Sequence, residues 1–371
     1  MSSGGSESER LKGVARFALL LGVGICIFLV YLYFVNPEEV FREIARADVV
    51  LLTMAFPLDA AFMVLFGVGW YVLIRSVCRG ASLKDCVSIS LVSLFGDVMI
   101  PTGTVTGEAI RLLLAKRKLK LGVNSALATI LVHRIVNLMA FILYFMVGLA
   151  LFWSNMSNSV GMIILLVLAL VAAGGGLYAI RSFGRSKRLQ GFIAKASEKL
   201  LKTFRRWSEE SGDVIEYSIS EFSDAVNSMF SRPWIIALSF VIFVAQWAAA
   251  ITVPYVVFAS LGHPVPYSLV AAAYPIYSLS LMIPIGIPAM LGVVEASMTA
   301  TFIALGVSAS IASSASILTR LIVVWFEVAV TGAVTAMYSL NVFSDIFRRG
   351  KLRSPVHGEE PKAITSPQGK V

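Results

Sequence analysis

Two stretches of the 371-residue chain gather the groups most able to do chemistry. The first, PTGTVTGEAIR at 101–111, ends on Glu108 and Arg111, and Arg134 follows inside an apolar run. The second, PIGIPAMLGVVE at 284–295, ends on Glu295, and Arg320 again follows inside an apolar run. An arginine guanidinium is a planar fork that donates two parallel hydrogen bonds, a geometry suited to phosphate. Pro101, Gly103 and Gly107, like Pro284, Gly286 and Gly292, break the helix and leave N–H groups unpaired where it restarts; such ends attract anions. The rival for each charge is structural, a buried Glu–Arg pair holding helices together. Recurrence of the pair in both stretches makes a shared ligand site harder to dismiss, and a phosphate-bearing ligand is chemically reasonable.

Asp59, Asp97, His133 and Glu327 complete the ionisable groups expected at membrane depth, where each is costly and a functional candidate by default. His133 directly precedes Arg134, and Asn137 lies one turn later. A hydrogen-bonded interior histidine is the plainer reading of His133 and a proton relay the rival. PTGTVTGE lacks the Lys-Ser/Thr ending of a Walker A loop. No DxxD, HExxH or Ser–His–Asp arrangement occurs, and Cys26, Cys78 and Cys86 have no CxxC spacing. No metal, cofactor or catalytic activity is therefore expected.

The elements that must position these groups follow from composition. The chain is 57% hydrophobic and 14% charged, with mean hydropathy +0.82, against about 25% charged residues in soluble domains. Residues 17–37, 135–180 and 233–294 contain no Lys, Arg, Asp or Glu. A spanning helix needs roughly 20 apolar residues, and the predicted spans are 17–35, 49–74, 124–153, 160–180, 233–260 and 309–340. The first is expected to be retained, because Asn36-Pro37-Glu38-Glu39 follows it where a signal peptide would be cleaved. Segments 83–115 and 268–305 are apolar but interrupted by Gly and Pro. Broken backbone at membrane depth is tolerated only inside protein or beside a wet cavity.

Most Lys and Arg fall in the N-terminus, 75–84, 111–120, 181–232 and the C-terminal tail, which the positive-inside rule puts in the cytoplasm with both termini. Connectors 154–159 and 261–267 carry no Lys or Arg and fall outside. That topology requires segment 83–115 to be re-entrant from the cytoplasm and 268–305 from outside. A repeat then emerges. Met99-Ile100-Pro101, Glu108, Leu121-Gly122-Val123 and Arg134 recur in order as Met282-Ile283-Pro284, Glu295, Leu305-Gly306-Val307 and Arg320. The expected fold is an all-α polytopic membrane protein, with about six full transmembrane helices plus two oppositely oriented re-entrant hairpins in an inverted repeat. Its parts are a cytoplasmic N-terminus (1–13), a first membrane half (14–180), a cytoplasmic helical connector (181–232), a second membrane half (233–340) and a basic, predicted disordered tail (341–371). The connector reads as a solvated helix, with an interfacial helix on anionic lipid as the sharper alternative.

These residues resemble a family. Pro101–Arg111 with Arg134, and Pro284–Glu295 with Leu305-Gly306-Val307 and Arg320, are similar to the flippase-like transmembrane region of lysylphosphatidylglycerol synthases, over roughly residues 14–340. The resemblance implies movement of a phospholipid across the bilayer, without the fused synthase or glycosyltransferase domain that some members carry. His133 and Asn137 stand where members commonly have acidic residues, so this cluster lacks the groups that an ion-coupled role there would use. The expected function is translocation of a lipid with a polar, anionic headgroup in the cell membrane. Glu108, Arg111, Arg134, Glu295 and Arg320 would line the path; Asp97, Pro101, Gly103, Gly107, His133, Asn137, Pro284, Gly286 and Gly292 would support it. A small-solute secondary transporter or, further off, a polytopic lipid-modifying transferase are the alternatives. Expected partners are membrane lipids and a separate lipid-modifying synthase or glycosyltransferase, not nucleic acid.

Overall fold

The computed structural model describes residues 4–100, 105–153, 160–191, 209–283 and 285–338. Pro101, Gly103 and Pro284, the connector 154–159, residues 192–208 and the tail beyond 338 lie outside the described residues. Everything regular within them is helical: α1 (Gly4–Phe34), α2 (Pro37–Ala45), α3 (Val49–Thr53), α4 (Ala55–Val77), α5 (Leu83–Met99), α6 (Val105–Lys118), α7 (Val123–Trp153), α8 (Val160–Arg185), α9 (Glu209–Phe230), α10 (Pro233–Ser260), α11 (Tyr267–Ser278), α12 (Val293–Ala304), α13 (Ala309–Arg320) and α14 (Glu327–Tyr338).

Four stretches are long and apolar enough to cross a bilayer: Val49–Val77, Val123–Phe152, Pro233–Ser260 and Ala309–Tyr338. Ala18–Phe34 and Pro37–Ala45 make a fifth if their 87° bend is one broken span. The bend sits at Asn36, whose φ of 56° is a left-handed value that asparagine tolerates, and Pro37 restarts the helix at its first turn, where a missing N–H costs nothing. The protein is thus an all-helical, multi-pass membrane protein. The predicted span 160–180 falls within α8, and most of the side chains of 160–180 lie outside the described residues.

Both interrupted segments are two short helices packed side by side. In the first, α5 and α6 have 17 and 14 residues. At about 1.5 Å per residue such helices reach roughly 20–26 Å, short of a bilayer core of about 30 Å. Ser82 starts α5, its Oγ accepting from Asp85 N at 3.0 Å. In the second segment α11 tightens into a 3-10 turn, Leu279–Met282, and a further turn at Pro288–Met290 precedes α12. Here the chain uses left-handed angles at Gly286 (83°), Ala289 (53°), Met290 (52°) and Gly292 (81°).

The two halves interleave. α10 lies along α4, α11 along α7, and α14 along α5, so elements of each half pack against elements of the other. One apolar cluster around Trp70, Ile89, Ile110 and Leu114 joins α4 to the first hairpin. Another around Val257, Phe258, Met298 and Phe302 joins α10 to the second. From the connector, α9 packs on α7 and α8; Glu221 accepts from Asn124 Nδ2 at 2.9 Å at the start of α7.

Candidate functional site

The first hairpin break restarts as α6, and its opening turn is held by a carboxylate from the other arm. Asp97 Oδ1 accepts from the Gly107 N–H at 2.8 Å. A Cβ on residue 107 would fall onto the Asp97 carboxylate, so this close approach requires glycine. The half-helix start expected to attract an anion therefore has one already, supplied by the protein. That leaves Glu108 free to reach sideways. Its Oε1 takes the Arg134 Nε from α7, and its Oε2 lies 3.6 Å from Arg111 Nη1, an ion pair too long for a hydrogen bond.

Arg111 and Arg134 have different surroundings. Arg111 is wholly buried, its guanidinium 4.5 Å from the Trp70 ring centre and 5.2 Å from that of Phe66. Aromatic faces of this kind stabilise a desolvated cation, although Nε and Nη2 have no hydrogen-bond partner among the described residues. Arg134 is partly exposed. His133 is buried beside Arg111, with Nδ1 at 3.5 Å from Arg111 Nη1 and Nε2 at 3.4 Å from the Phe66 carbonyl. Phe66 and Phe243 meet the imidazole edge to face. Nδ1 can accept from the arginine only if the ring is neutral, with its proton on Nε2. Asn137 is drawn elsewhere: its Nδ2 donates to Gln246 Oε1 at 2.8 Å and its carbonyl accepts from Trp247 Nε1, tying α7 to α10.

The second break uses one acid for both jobs. Glu295 Oε2 accepts from the Gly292 N–H at 2.7 Å, capping α12, while Oε1 accepts from Arg320 Nε at 3.1 Å. Arg320 also donates to the Ala289 carbonyl within the break. Directly after Arg320 the helix widens into a π-helical turn, Leu321–Phe326, a distortion frequent at functional sites. α1 covers this break. A Cβ at residue 292 would lie 2.6 Å from the Phe28 N, and Tyr31 Oη hydrogen-bonds Thr299 Oγ1 at 2.8 Å.

Of the residues singled out in sequence, Glu108, Arg111, Arg134, His133, Asp97 and Gly107 come together at the first break. Glu295, Arg320 and Gly292 come together at the second, with Gly286 beneath Leu20 of α1. Trp70 and Phe66, which sandwich the Arg111 charge, carried no signal beyond apolarity. No group of three or more His, Cys, Asp or Glu suited to a metal occurs among the described residues.

A helical membrane protein with a Glu–Arg pair at each of two broken hairpins is the class that fold and site define. The model of the family described as the lysylphosphatidylglycerol synthase TM region matches residues 17–331, and the chain belongs to that family. A UPF0104 membrane protein of Methanothermobacter thermautotrophicus is 22% identical over 330 residues, covering 88% of this chain and 96% of its own. Similar UPF0104 membrane proteins occur in Pyrococcus horikoshii, 22% identical over 85% of this chain and 95% of theirs, and in Archaeoglobus fulgidus, 25% identical over 74% and 83%.

Proposed function

We propose that the protein translocates a lipid with a polar, anionic headgroup across the cell membrane, and makes no chemical change to it. The observation that carries this reading is the first Glu–Arg pair. Two arginines, Arg111 and Arg134, share Glu108, and Arg134 is partly exposed beside a break in the helix. An arriving phosphate can compete with Glu108 for the Arg134 fork and regain in charge-assisted hydrogen bonds what the pair loses. The headgroup then passes between the two breaks, from Arg134 to Arg320, while the acyl chains stay in lipid.

The arrangement that serves this is six full spans with two hairpins re-entering from opposite faces, both termini cytoplasmic. The halves of such an inverted repeat exchange roles as access alternates. Support comes from the hairpins' short arms and from the matching order of Glu and Arg in the two halves. Synthesis or modification of the lipid would fall to a separate synthase or glycosyltransferase.

The test is exposure of tracer lipids by the purified protein in phosphatidylcholine vesicles, run across headgroup classes. Anionic phospholipids are expected to change leaflet faster than in protein-free vesicles. Equal rates for every headgroup would overturn the proposal.

A further inference from the structure

A second polar group, untouched by the Glu–Arg pairs, lies where α4 meets the last span. Asp59 on α4 and Glu327 at the start of α14 are 2% and 7% exposed. Phe56, one turn before Asp59, and Phe326, directly before Glu327, meet edge to face with centroids 5.2 Å apart, so the two acids are carried to one contact between helices. The helices that carry them pack together here: α4 lies against α14 and against the π-helical turn Leu321–Phe326 before it.

Neither carboxyl group has a counter-charge of its own. Among the described residues Asp59 and Glu327 enter no ion pair, and Asp59 Oδ2 is sealed from solvent without any hydrogen bond. Arg320, the nearest cation, is already engaged by Glu295 and by the Ala289 carbonyl. The Tyr277 hydroxyl, on a residue 5% exposed, and the hydroxyl of Thr319, the residue before Arg320, are also buried without partners among the described residues. Such groups are costly unless something hydrogen-bonds to them. Two neighbouring carboxylates in an apolar interior do not both stay charged; one of them keeps a proton.

We propose that Asp59 and Glu327 form a proton-binding carboxyl pair that couples headgroup movement at Arg320 to the passage of a proton; the coupling, though not the proton binding, rests on the translocation reading above. The step is a simple exchange. Release of that proton to water on one side leaves both groups as carboxylates beside Arg320. The newly formed carboxylate competes with Glu295 for the guanidinium and loosens the second hairpin break. Uptake from the other side restores the singly protonated pair and lets Glu295 reclaim Arg320. The titratable and charged groups bearing on the pair are then Arg320 from α13, Asp97 from α5 and Tyr274 from α11.

Two readouts on the full-length protein in phosphatidylcholine vesicles separate the parts. Infrared difference spectra across a pH titration report protonated carboxyl groups without reference to transport. A carboxyl band is expected in the wild type and is lost in Asp59→Asn or Glu327→Gln, which keep shape and remove the titration. Retention of that band in both variants would overturn the pair. The second readout is the steady-state leaflet ratio of labelled phosphatidylglycerol under an imposed pH gradient. For one proton per lipid the ratio is expected to shift about tenfold per pH unit, and the shift disappears in each variant. A wild-type ratio that follows a sodium gradient and ignores pH would overturn the coupling. If no labelled lipid moves in the wild type, the translocation reading fails, while the infrared result still decides whether the pair binds a proton.

Discussion

The two Glu–Arg pairs look alike in sequence and differ in how firmly they are built in. At the first break the side chains of Arg134 and Glu108 are 37% and 23% exposed; at the second those of Arg320 and Glu295 are 11% and 3%. The difference traces to a single position. Asp97, four residues before Pro101, caps the first half-helix and frees Glu108 for the arginines. The matching position before Pro284 is Ser280, whose hydroxyl donates to the Tyr277 carbonyl, so Glu295 must cap α12 and hold Arg320 together. α1 then closes over the second break. On the proposed reading, the first pair serves as the receptor for an anion and the second as a latch that must be loosened.

The sharpest break in this comparison is expected at the latch. Glu295→Gln or Arg320→Leu leaves one buried partner unpaired and should cost about 3–5 kcal/mol of stability. Thermal unfolding in detergent measures it, and the double variant Glu295→Gln/Arg320→Leu should recover much of the loss. Arg134→Leu at the first break should cost about 1 kcal/mol or less, because that pair is partly solvated and Glu108 keeps Arg111; a cost equal to that of Arg320→Leu would erase the distinction.

Gly292→Ala comes next. Its φ of 81° disfavours any side chain, and the α1 backbone leaves no room for one. A loss of roughly 1–3 kcal/mol is expected, with α1 becoming more accessible to protease; unchanged protection would mean that α1 does not close the break. The smallest effect concerns Tyr31→Phe, which removes the hydroxyl that bonds Thr299 and should cost about 1 kcal/mol. Topology can be probed beside these: cysteines near 115 should be labelled from the cytoplasmic side and those at 264 from outside. Outside labelling at 115 would remove the re-entrant first hairpin and with it the inverted repeat.

Much of this architecture was legible in the chain. Uncharged runs marked the long helices, and Pro–Gly clusters marked both breaks, because apolar length and helix-breaking residues act locally. The pairing of Glu108 with Arg134 and Glu295 with Arg320 could be read from recurrence. What could not be read was which acid caps which helix. Asp97 and Glu295 both satisfy a glycine N–H at a half-helix start, yet one comes from the opposite arm and the other from within its own helix. The aromatic box of Phe66 and Trp70 around Arg111 was equally hidden, since in an apolar span an aromatic residue facing a cation reads the same as one facing lipid. Asp59 and Glu327 stood out as charges, but 268 positions apart nothing in the sequence joins them; the contact of Phe56 with Phe326 does.

The central claim, that the exposed arginine receives the headgroup, is tested most directly by Arg134→Lys in reconstituted vesicles, with thermal stability and exposure of labelled phosphatidylglycerol measured on the same preparation. Lysine keeps the charge beside Glu108 and loses the planar fork. The account predicts a protein about as stable as the wild type whose lipid movement falls by at least roughly tenfold, the equivalent of one charge-assisted hydrogen bond. A stable Arg134→Lys protein that moves the lipid at the wild-type rate would contradict it and leave the first pair a structural tie between α6 and α7.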